Sequence, residues 1–205
     1  MRRLVSGIIS AVVVATAACA NTQIVSSWHD PSVSNVSFKS VIVIAMARSE
    51  TRRRAIEDRL VSDIEGRGAA ATASYRLISR EDTQSPDVVK KAILKGMFDG
   101  AVTWRTIGVT LETQYIPSIG GPGPRGFWGY YDVGWASEYS PGYLQTDRIV
   151  RVETMIYQVT PGSDRLIWAG TSDTVDPASL DSTIDGVADA TINGMRAAGL
   201  FAPRQ

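Results

Sequence analysis

Histidine and cysteine are nearly absent from the chain, which has one of each, His29 and Cys19, among its 205 residues. Zinc sites in proteins take most of their ligands from these two residue types. No HExxH or CxxC motif is present, so at most a carboxylate site of the kind that suits calcium is left. The residues around Asp173 and Asp176 lack the spacing of an EF-hand loop. The sequence therefore predicts no metal and no cofactor.

An excess of charge of one sign is also lacking. Lys and Arg together number 21, and Asp and Glu together also number 21. A balanced chain has no overall field that would attract nucleic acid or an anionic membrane surface. Since 205 residues suffice for one domain with a proper core, we expect a single domain and no nucleic-acid partner.

The chain begins with the features of a bacterial export signal. Two arginines precede an apolar run from Leu4 to Ala18, which is too short to span a bilayer comfortably. Cys19 follows two small residues, as in a lipoprotein whose cysteine is lipidated and becomes the new N-terminus, although Thr16 stands where Leu is usual. The alternative is signal peptidase cleavage after Ala20, which would release a soluble periplasmic protein.

Lipidation of Cys19 accounts best for the lone cysteine, because this residue lies at the end of a signal and outside any packed segment. We predict a signal peptide over residues 1–18, a lipid-anchored tether over 19–26 and one domain over 27–205. The residue after the cysteine is Ala20 rather than an acidic residue, which favours an outer-membrane lipoprotein that faces the periplasm.

Strands and helices are predicted to alternate along the domain. A β-branched apolar run over Lys39–Ala47 predicts a strand buried on both faces. Apolar residues recur every four positions over 56–64, which predicts a helix, and regular alternation over 107–115 predicts a half-exposed strand. A late hairpin turns at Pro161-Gly162. The predicted fold class is α/β (α+β): a single mixed sheet, about three helices packed on it, and a Gly/Pro/aromatic-rich insertion at 117–146.

Charged residues are spaced four apart on the first and last predicted helices. Arg53 and Glu57 form one such pair, which we expect on an exposed side of its helix. Asp181, Asp185 and Asp189 form an acidic stripe, which we interpret as a solvated face.

Several segments together resemble a known family. "SSWHDP" near the start, "GMFDGAVTWR" in the middle and "GMRAAGLF" near the end are similar to a family of bacterial envelope lipoproteins defined by a domain of unknown function. The resemblance implies an exported, lipid-anchored α/β domain and brings no catalytic residues. The predicted strand-helix-strand-helix-strand part that contains "FDG" is similar, at the level of fold, to the globular domain of other envelope lipoproteins. Examples are the curli-secretion channel subunit and activators of cell-wall synthases.

Two candidate sites are rejected, one on the geometry of the chain and one on its sequence context. Ser26, Ser27, His29 and Asp30 contain the residue types of a hydrolase triad, but neighbours along an extended chain alternate faces and do not converge. A G-x-G-x-x-G pattern over 121–126 has a proline, without an N–H, within it, and we expect no amphipathic helix after it. The sequence therefore predicts no nucleotide site.

Aromatic residues are concentrated in the insertion. Tyr and Trp dominate protein interfaces, which favours a partner-binding surface. The alternatives are rings that cover the open face of the sheet in a purely structural domain, and rings that contact the bilayer surface near the anchor. The candidate residues are Phe127, Trp128, Tyr130, Tyr131, Trp135, Tyr139 and Tyr143.

The function predicted from these features is that of a non-enzymatic binding or assembly accessory protein of the bacterial envelope. Its partner would be another envelope protein or a cell-wall component, in addition to the membrane that holds its anchor. The alternative is a carbohydrate-active enzyme in which Glu112 works with Asp132 or Glu138 beside the aromatic insertion, since glycosidases use two carboxyl groups across a cleft.

Overall fold

The computed structural model describes residues 21–116, 126–139, 142–160 and 162–200. Two short 3-10 turns lie at Ser74–Arg76 and Glu81–Gln84. In chain order the elements are β1 (Asn21–His29), β2 (Ser40–Ala45), α1 (Glu50–Glu65), β3 (Ala70–Ala73), α2 (Pro86–Lys95), β4 (Gly100–Ile116), α3 (Phe127–Tyr139), β5 (Tyr143–Thr160), β6 (Ser163–Val175) and α4 (Leu180–Ala197).

The six strands form one mixed sheet in the order β1-β6-β5-β4-β2-β3. Strand β2 is parallel to both β3 and β4, whereas the other neighbouring pairs are antiparallel. The predicted α/β fold with a single mixed sheet is therefore confirmed. The predicted late hairpin is β5–β6, although Pro161 of its turn lies outside the described residues.

Helices cover both faces of the sheet. Alternate residues of a strand point to opposite faces. Val43 and Ala45 of β2 pack with residues of α1 and α4, including Ile184, in one core cluster. Ile42 and Ile44 pack in another cluster, with residues of α2. Helices α1 and α4 thus lie on one face and α2 on the other, which explains why β2 is apolar on both sides.

The first strand begins earlier than expected. Residues 21–26, predicted as part of a tether, belong to β1, which pairs with β6 from Asn21 opposite Val175. The tether prediction is wrong for these residues because backbone pairing with β6 recruits a polar segment that has no apolar pattern of its own. Residues 1–20, including Cys19, lie outside the described part of the chain. Among the described helices, none has the length and apolar character needed to cross a membrane.

The pair Arg53 and Glu57 is buried, so its predicted exposed position is wrong. Glu57 has no exposed side-chain surface, and its Oε1 accepts from the Ala45 amide at 2.9 Å and the Ser74 hydroxyl at 2.7 Å. Its Oε2 accepts from the Tyr75 amide at 2.8 Å. The Arg53 Nε donates to Oε1 at 3.2 Å. Burial is tolerated because the carboxylate is hydrogen-bonded on both oxygens and paired with a cation.

Two residues of the acidic stripe join the two helices that share a face. Arg59 of α1 donates to both carboxylate oxygens of Asp185, at 2.6 and 2.9 Å. Arg67, just after α1, donates to Asp189 at 2.9 Å. The hydrogen bond to Asp185 raises the pKa of Arg59. The stripe faces solvent as interpreted, and two of its three aspartates also form exposed ion pairs between α1 and α4.

Candidate functional site

Strands β4 and β5 extend past the rest of the sheet as a two-stranded ribbon. The pairing of β4 with β2 ends at Trp104, and the pairing of β5 with β6 ends at Ile149. Beyond these points β4 pairs only with β5, up to Ile116 opposite Tyr143. Helix α3 lies in the chain between the two ribbon strands. We call the ribbon and this helix the arm, which comprises the described residues 110–116, 126–139 and 142–149.

A register shift in β4 carries the helix-covered face of the sheet onto the arm. The shift lies between Thr106 and Gly108. Before it, the even-numbered Trp104 packs in the core beneath α1 and α4, and after it the odd-numbered Val109 pairs with Val150, which packs against the same core. A bulge of one residue changes which residues face each side. The face of β4 that lies beneath α1 and α4 before the shift therefore continues into the arm.

That face of the arm carries large apolar side chains that are open to solvent, beside the polar Thr113, Thr146 and Arg148. Leu111 and Tyr115 of β4 are exposed, as is Leu144, which lies directly opposite Tyr115. Leu111 and Leu144 retain 70% and 71% of their possible exposure, because the arm reaches beyond the helices that cover this face elsewhere. The predicted half-exposed strand thus has its apolar side uncovered.

The opposite face of the arm is polar and carries one of the candidate carboxylates. Glu112 lies opposite Asp147 in the ribbon, and the Gln114 amide donates to Asp147 at 3.3 Å. Asp132 lies in α3, as does Glu138, whose side chain is outside the described part of the structure. The suggested catalytic pairing of Glu112 with Asp132 or Glu138 stays a prediction.

Hydrogen bonds close the end of the ribbon where α3 is attached. The Tyr115 hydroxyl accepts from the Gly142 amide at 2.9 Å. Two residues before Tyr115 in β4, the hydroxyl of Thr113 is hydrogen-bonded to the hydroxyl of Thr146 in β5 at 2.8 Å. The ribbon therefore has a defined end, and α3 is attached to a paired base.

Helix α3 follows the glycine pattern, and its aromatic side chains are exposed rather than gathered on a buried face, in keeping with the expectation of no amphipathic helix there. Gly126 has φ of 123°, a conformation that favours glycine, and its carbonyl accepts from the Tyr130 amide at 3.0 Å. Gly121, Gly123 and Pro124 lie outside the described residues, so the rejected nucleotide site is not tested.

Four aromatic rings form a ladder along α3. Phe127, Tyr131, Trp135 and Tyr139 recur every four residues, which places them on one side of a helix. Successive ring centroids lie 5.9, 6.2 and 5.9 Å apart. Trp128 adds an edge-to-face contact with Phe127 at 5.0 Å. The four-residue spacing of these rings is a sequence signal for a helix. Contacts between neighbouring rings stabilise that helix.

All seven predicted aromatic residues are exposed, from 49% for Trp135 to 80% for Tyr139. Within the described structure, α3 makes no extensive contact with any other helix or strand. Of the arrangements that the sequence left open, the structure has the rings facing solvent rather than covering the sheet. An exposed apolar patch of this kind is typical of an interaction site.

His29 and Asp30, two residues of the rejected triad, have different partners. His29 is at the end of β1, opposite Trp168. Asp30 accepts from both the amide and the hydroxyl of Ser32, at 2.9 and 2.8 Å, and from Arg165 at 2.7 Å. These bonds, first of all the one from the Ser32 amide, lower the pKa of Asp30. The carboxylate is thus engaged by a turn and an arginine rather than by the histidine.

The two aspartates considered for a metal are held by other groups. Asp173 forms a two-point ion pair with Arg151, with both contacts at 2.6 Å, which raises the pKa of the guanidinium. Asp176 accepts from the Arg148 amide at 2.7 Å. In the described ranges, no group of three or more His, Cys, Asp or Glu side chains is arranged to hold a metal ion.

Comparison with known proteins gives likenesses of structure only. No protein-family model matches the chain, and no curated protein matches it. The PelC dodecamer from Paraburkholderia phytofirmans is similar with a TM-score of 0.44 and 11% identity, over 89% of this chain and 99% of that one. A second crystal form, of a PelC variant, gives a TM-score of 0.42 and 10% identity over the same shares. Lipoprotein GNA1162 from Neisseria meningitidis gives 0.39 and 9%, over 77% of this chain and 98% of that one.

Proposed function

We propose that the protein is an exported accessory module of the bacterial envelope that is anchored by a lipid at Cys19 and binds its partner through the aromatic arm. The partner is another envelope protein or a cell-wall component, and the module positions it without catalysing a reaction. The observation that carries this proposal is the exposure of seven aromatic side chains at the end of a ribbon that itself exposes Leu111 and Leu144.

The chemistry of the arm supports binding rather than packing. Large aromatic faces with few rotatable bonds lose little entropy on association, and Tyr and Trp add a polar group at the ring edge. The rings of the ladder already contact one another, so the surface is partly ordered before a partner arrives. Preorganisation of this kind improves affinity because less freedom is lost on binding.

The position of β1 supports an arm that works close to the membrane. Asn21 lies opposite Val175, which in turn lies opposite Ile149 at the base of the arm. Strands in a sheet are about 4.8 Å apart, so the start of β1 is on the order of 15 Å from β4 at this base. An anchor at Cys19, two residues before Asn21, would hold this end of the domain toward the bilayer. The partner would then lie at or near the membrane surface.

A pair of triple variants tests the binding role. The first replaces three exposed rings of α3 by serine: Trp128, Tyr130 and Tyr139. The control replaces three exposed apolar residues outside the arm by serine: Met46, Leu94 and Met97. After chemical crosslinking in intact cells, the wild type and the control should give the same crosslinked species, and the arm variant should lose it. Retention of that species by the arm variant would contradict the proposal.

The anchor is tested separately with Cys19→Ala. This variant should lose palmitate labelling and move from the membrane fraction to the soluble fraction after cell lysis, because the sequence has no other cysteine to carry acyl chains. A Cys19→Ala protein that stays in the membrane fraction would refute the lipid anchor, yet it would leave the role of the arm open to the crosslinking test.

A further inference from the structure

A cavity of about 350 Å³ lies between the sheet and the two helices α1 and α4. Its floor is formed by strands β4 and β5, which contribute Val102, Trp104, Thr154 and Ile156. Leu60 of α1 lies in one wall. The volume is within the range of about 300–1,000 Å³ that small-molecule sites occupy, and such sites are mostly apolar with a few polar groups.

Helix α4 above the cavity is packed into the core. Val187 and Met195 of α4 line the cavity and also belong to buried core clusters. The exposed ion pairs Arg59–Asp185 and Arg67–Asp189 connect α4 with α1 at the surface. Because the core contacts fix α4, the cavity is a feature of the packed domain rather than of a loop.

Three polar atoms on residues that line this cavity are buried and have no hydrogen-bond partner among the described residues. They are the indole Nε1 of Trp104 and the hydroxyls of Thr154 and Thr191. Trp104 lies directly opposite Thr154 on the neighbouring strand, and Thr191 reaches the cavity from α4. An unsatisfied buried polar group destabilises the folded state, so three such groups at one cavity require an explanation.

The other unpartnered buried polar atoms have a different cause. They are Glu50 Oε2 and Arg53 Nη1, which lie 3.6 Å apart as an ion pair. Within the described structure, the neutral unpartnered groups are therefore confined to residues of the cavity. Each of these atoms is closed off in the free protein, so a bound molecule satisfies them when their side chains turn toward the cavity that the same residues line.

The charged lining residues are at the opening. Arg67 is partly exposed and already paired with Asp189, and Asp63 is half-buried, where burial raises its pKa. The floor has no cation. A charged group placed there would lose its hydration without a counter-ion, which is costly. The indole N–H donates and does not accept, so it requires an acceptor.

We propose that this cavity is a binding site for a small uncharged, mostly apolar molecule that carries one carbonyl or hydroxyl oxygen at its buried end. The oxygen accepts from the Trp104 indole, and the threonine hydroxyls bond to the same group or to each other through it. The apolar remainder lies between Leu60 and Val187 toward the opening. This site is separate from the arm, so it stands or falls independently of the proposed partner binding.

Two naphthalenes test the site: 2-acetylnaphthalene, which has a carbonyl acceptor, and 2-ethylnaphthalene, which has the same rings and two-carbon substituent without the oxygen. Binding is followed by NMR of the mature domain labelled with ¹⁵N, in which each tryptophan gives one indole signal. Trp104→Phe assigns the signal of Trp104. The acetyl compound should shift this signal and bind about five times more tightly than the ethyl compound, as one hydrogen bond in a buried site contributes about 1 kcal/mol.

Variants separate a ligand site from a merely imperfect core. Thr191→Val removes one unpartnered hydroxyl at constant shape, and it should weaken the preference for the acetyl compound while leaving thermal stability unchanged or higher. Thr183→Val is the control, because Thr183 is buried in the same helix and its hydroxyl donates to the Ser179 carbonyl. It should lower stability without changing the preference.

Ala188→Phe fills the cavity from α4, since Ala188 lines it. This variant should fold and lose binding of both compounds. The proposal is overturned if neither compound shifts the Trp104 signal, if both bind equally to the wild type, or if only the signals of the arm residues Trp128 and Trp135 respond. A loss of stability in Thr191→Val would also contradict it, because the hydroxyl would then have a partner in the free protein.

Discussion

The carboxylate of Glu57 accepts a hydrogen bond of 2.9 Å from the backbone amide of Ala45, which ties α1 to the end of β2. The same carboxylate accepts from the Tyr75 amide after β3, so one side chain joins the helix to the ends of two parallel strands. Arg53 compensates its charge from one helical turn away. A single buried ion pair thus fixes the first helix on the sheet.

Removal of one partner of this pair should therefore be costly. Glu57→Ala removes the buried counter-ion of Arg53 and leaves it only the carboxylate of Glu50, 3.6 Å from its Nη1, which we expect to lower the free energy of unfolding by about 3–5 kcal/mol. Urea denaturation measures the loss. Arg54→Ala is the control, because Arg54 pairs with Glu50 at the surface and its loss should change stability little. Equal effects of the two substitutions would contradict the structural role of Glu57.

Gly170 should resist substitution because the Trp168 ring lies across it. A Cβ at this position would be 2.0 Å from an atom of that ring, and Trp168 is fully buried. The ring has no free space to move into, so Gly170→Ala should destabilise the domain by about 1–3 kcal/mol. Gly134→Ala in α3 is the matched control, since no atom lies within 4 Å of the added methyl group. A stable Gly170→Ala protein would show that the ring is placed otherwise.

Asp30 should make stability depend on pH in the acid range. Its pKa in the folded protein is lowered, first by the Ser32 amide and also by Arg165. An acid with a lowered folded pKa stabilises the fold above its unfolded pKa, and that contribution is lost as pH falls through the folded pKa. The difference in Tm between the wild type and Asp30→Asn should be constant above about pH 5 and shrink below about pH 4. A difference that varies between pH 6 and 8 would contradict this assignment.

The arm should be dispensable for folding. The buried core clusters contain no residue of the arm, and α3 has no extensive contact with the rest of the described structure. Replacement of residues 114–145 by an Asn-Gly turn, which suits a two-residue hairpin, should keep a cooperative urea transition with an unchanged midpoint. A loss of cooperativity would instead assign the arm to the structural core.

Much of the fold could be predicted from the sequence because the patterns are local. The β-branched run of β2 and the fourfold spacing in α1 follow from which faces are buried. Burial of Arg53 and Glu57 could not be predicted, since it depends on the amides of Ala45 and Tyr75, which are supplied by other elements. The early start of β1 at Asn21 could not be predicted for a similar reason: its pairing with β6 is between segments at opposite ends of the domain.

The amino-acid composition located the candidate site, but its helical structure was not predicted. The concentration of rings marked the insertion, whereas helix α3 was not predicted, although the four-residue spacing of Phe127, Tyr131 and Trp135 is a helical one. Glycines between the rings disfavour a helix. Contacts between successive rings oppose that cost in α3. The cavity could not be predicted, because its lining comes from five separate segments of the chain.

The central claim is that the rings of the arm contact a partner in the envelope, and site-specific photo-crosslinking in living cells tests it most directly. A photoreactive amino acid is placed at Trp128 in one strain and at Met97, which is exposed outside the arm, in the other. The account predicts a discrete crosslinked adduct from position 128 and none from position 97. Absence of an adduct at position 128, or the same adduct from both positions, would contradict it.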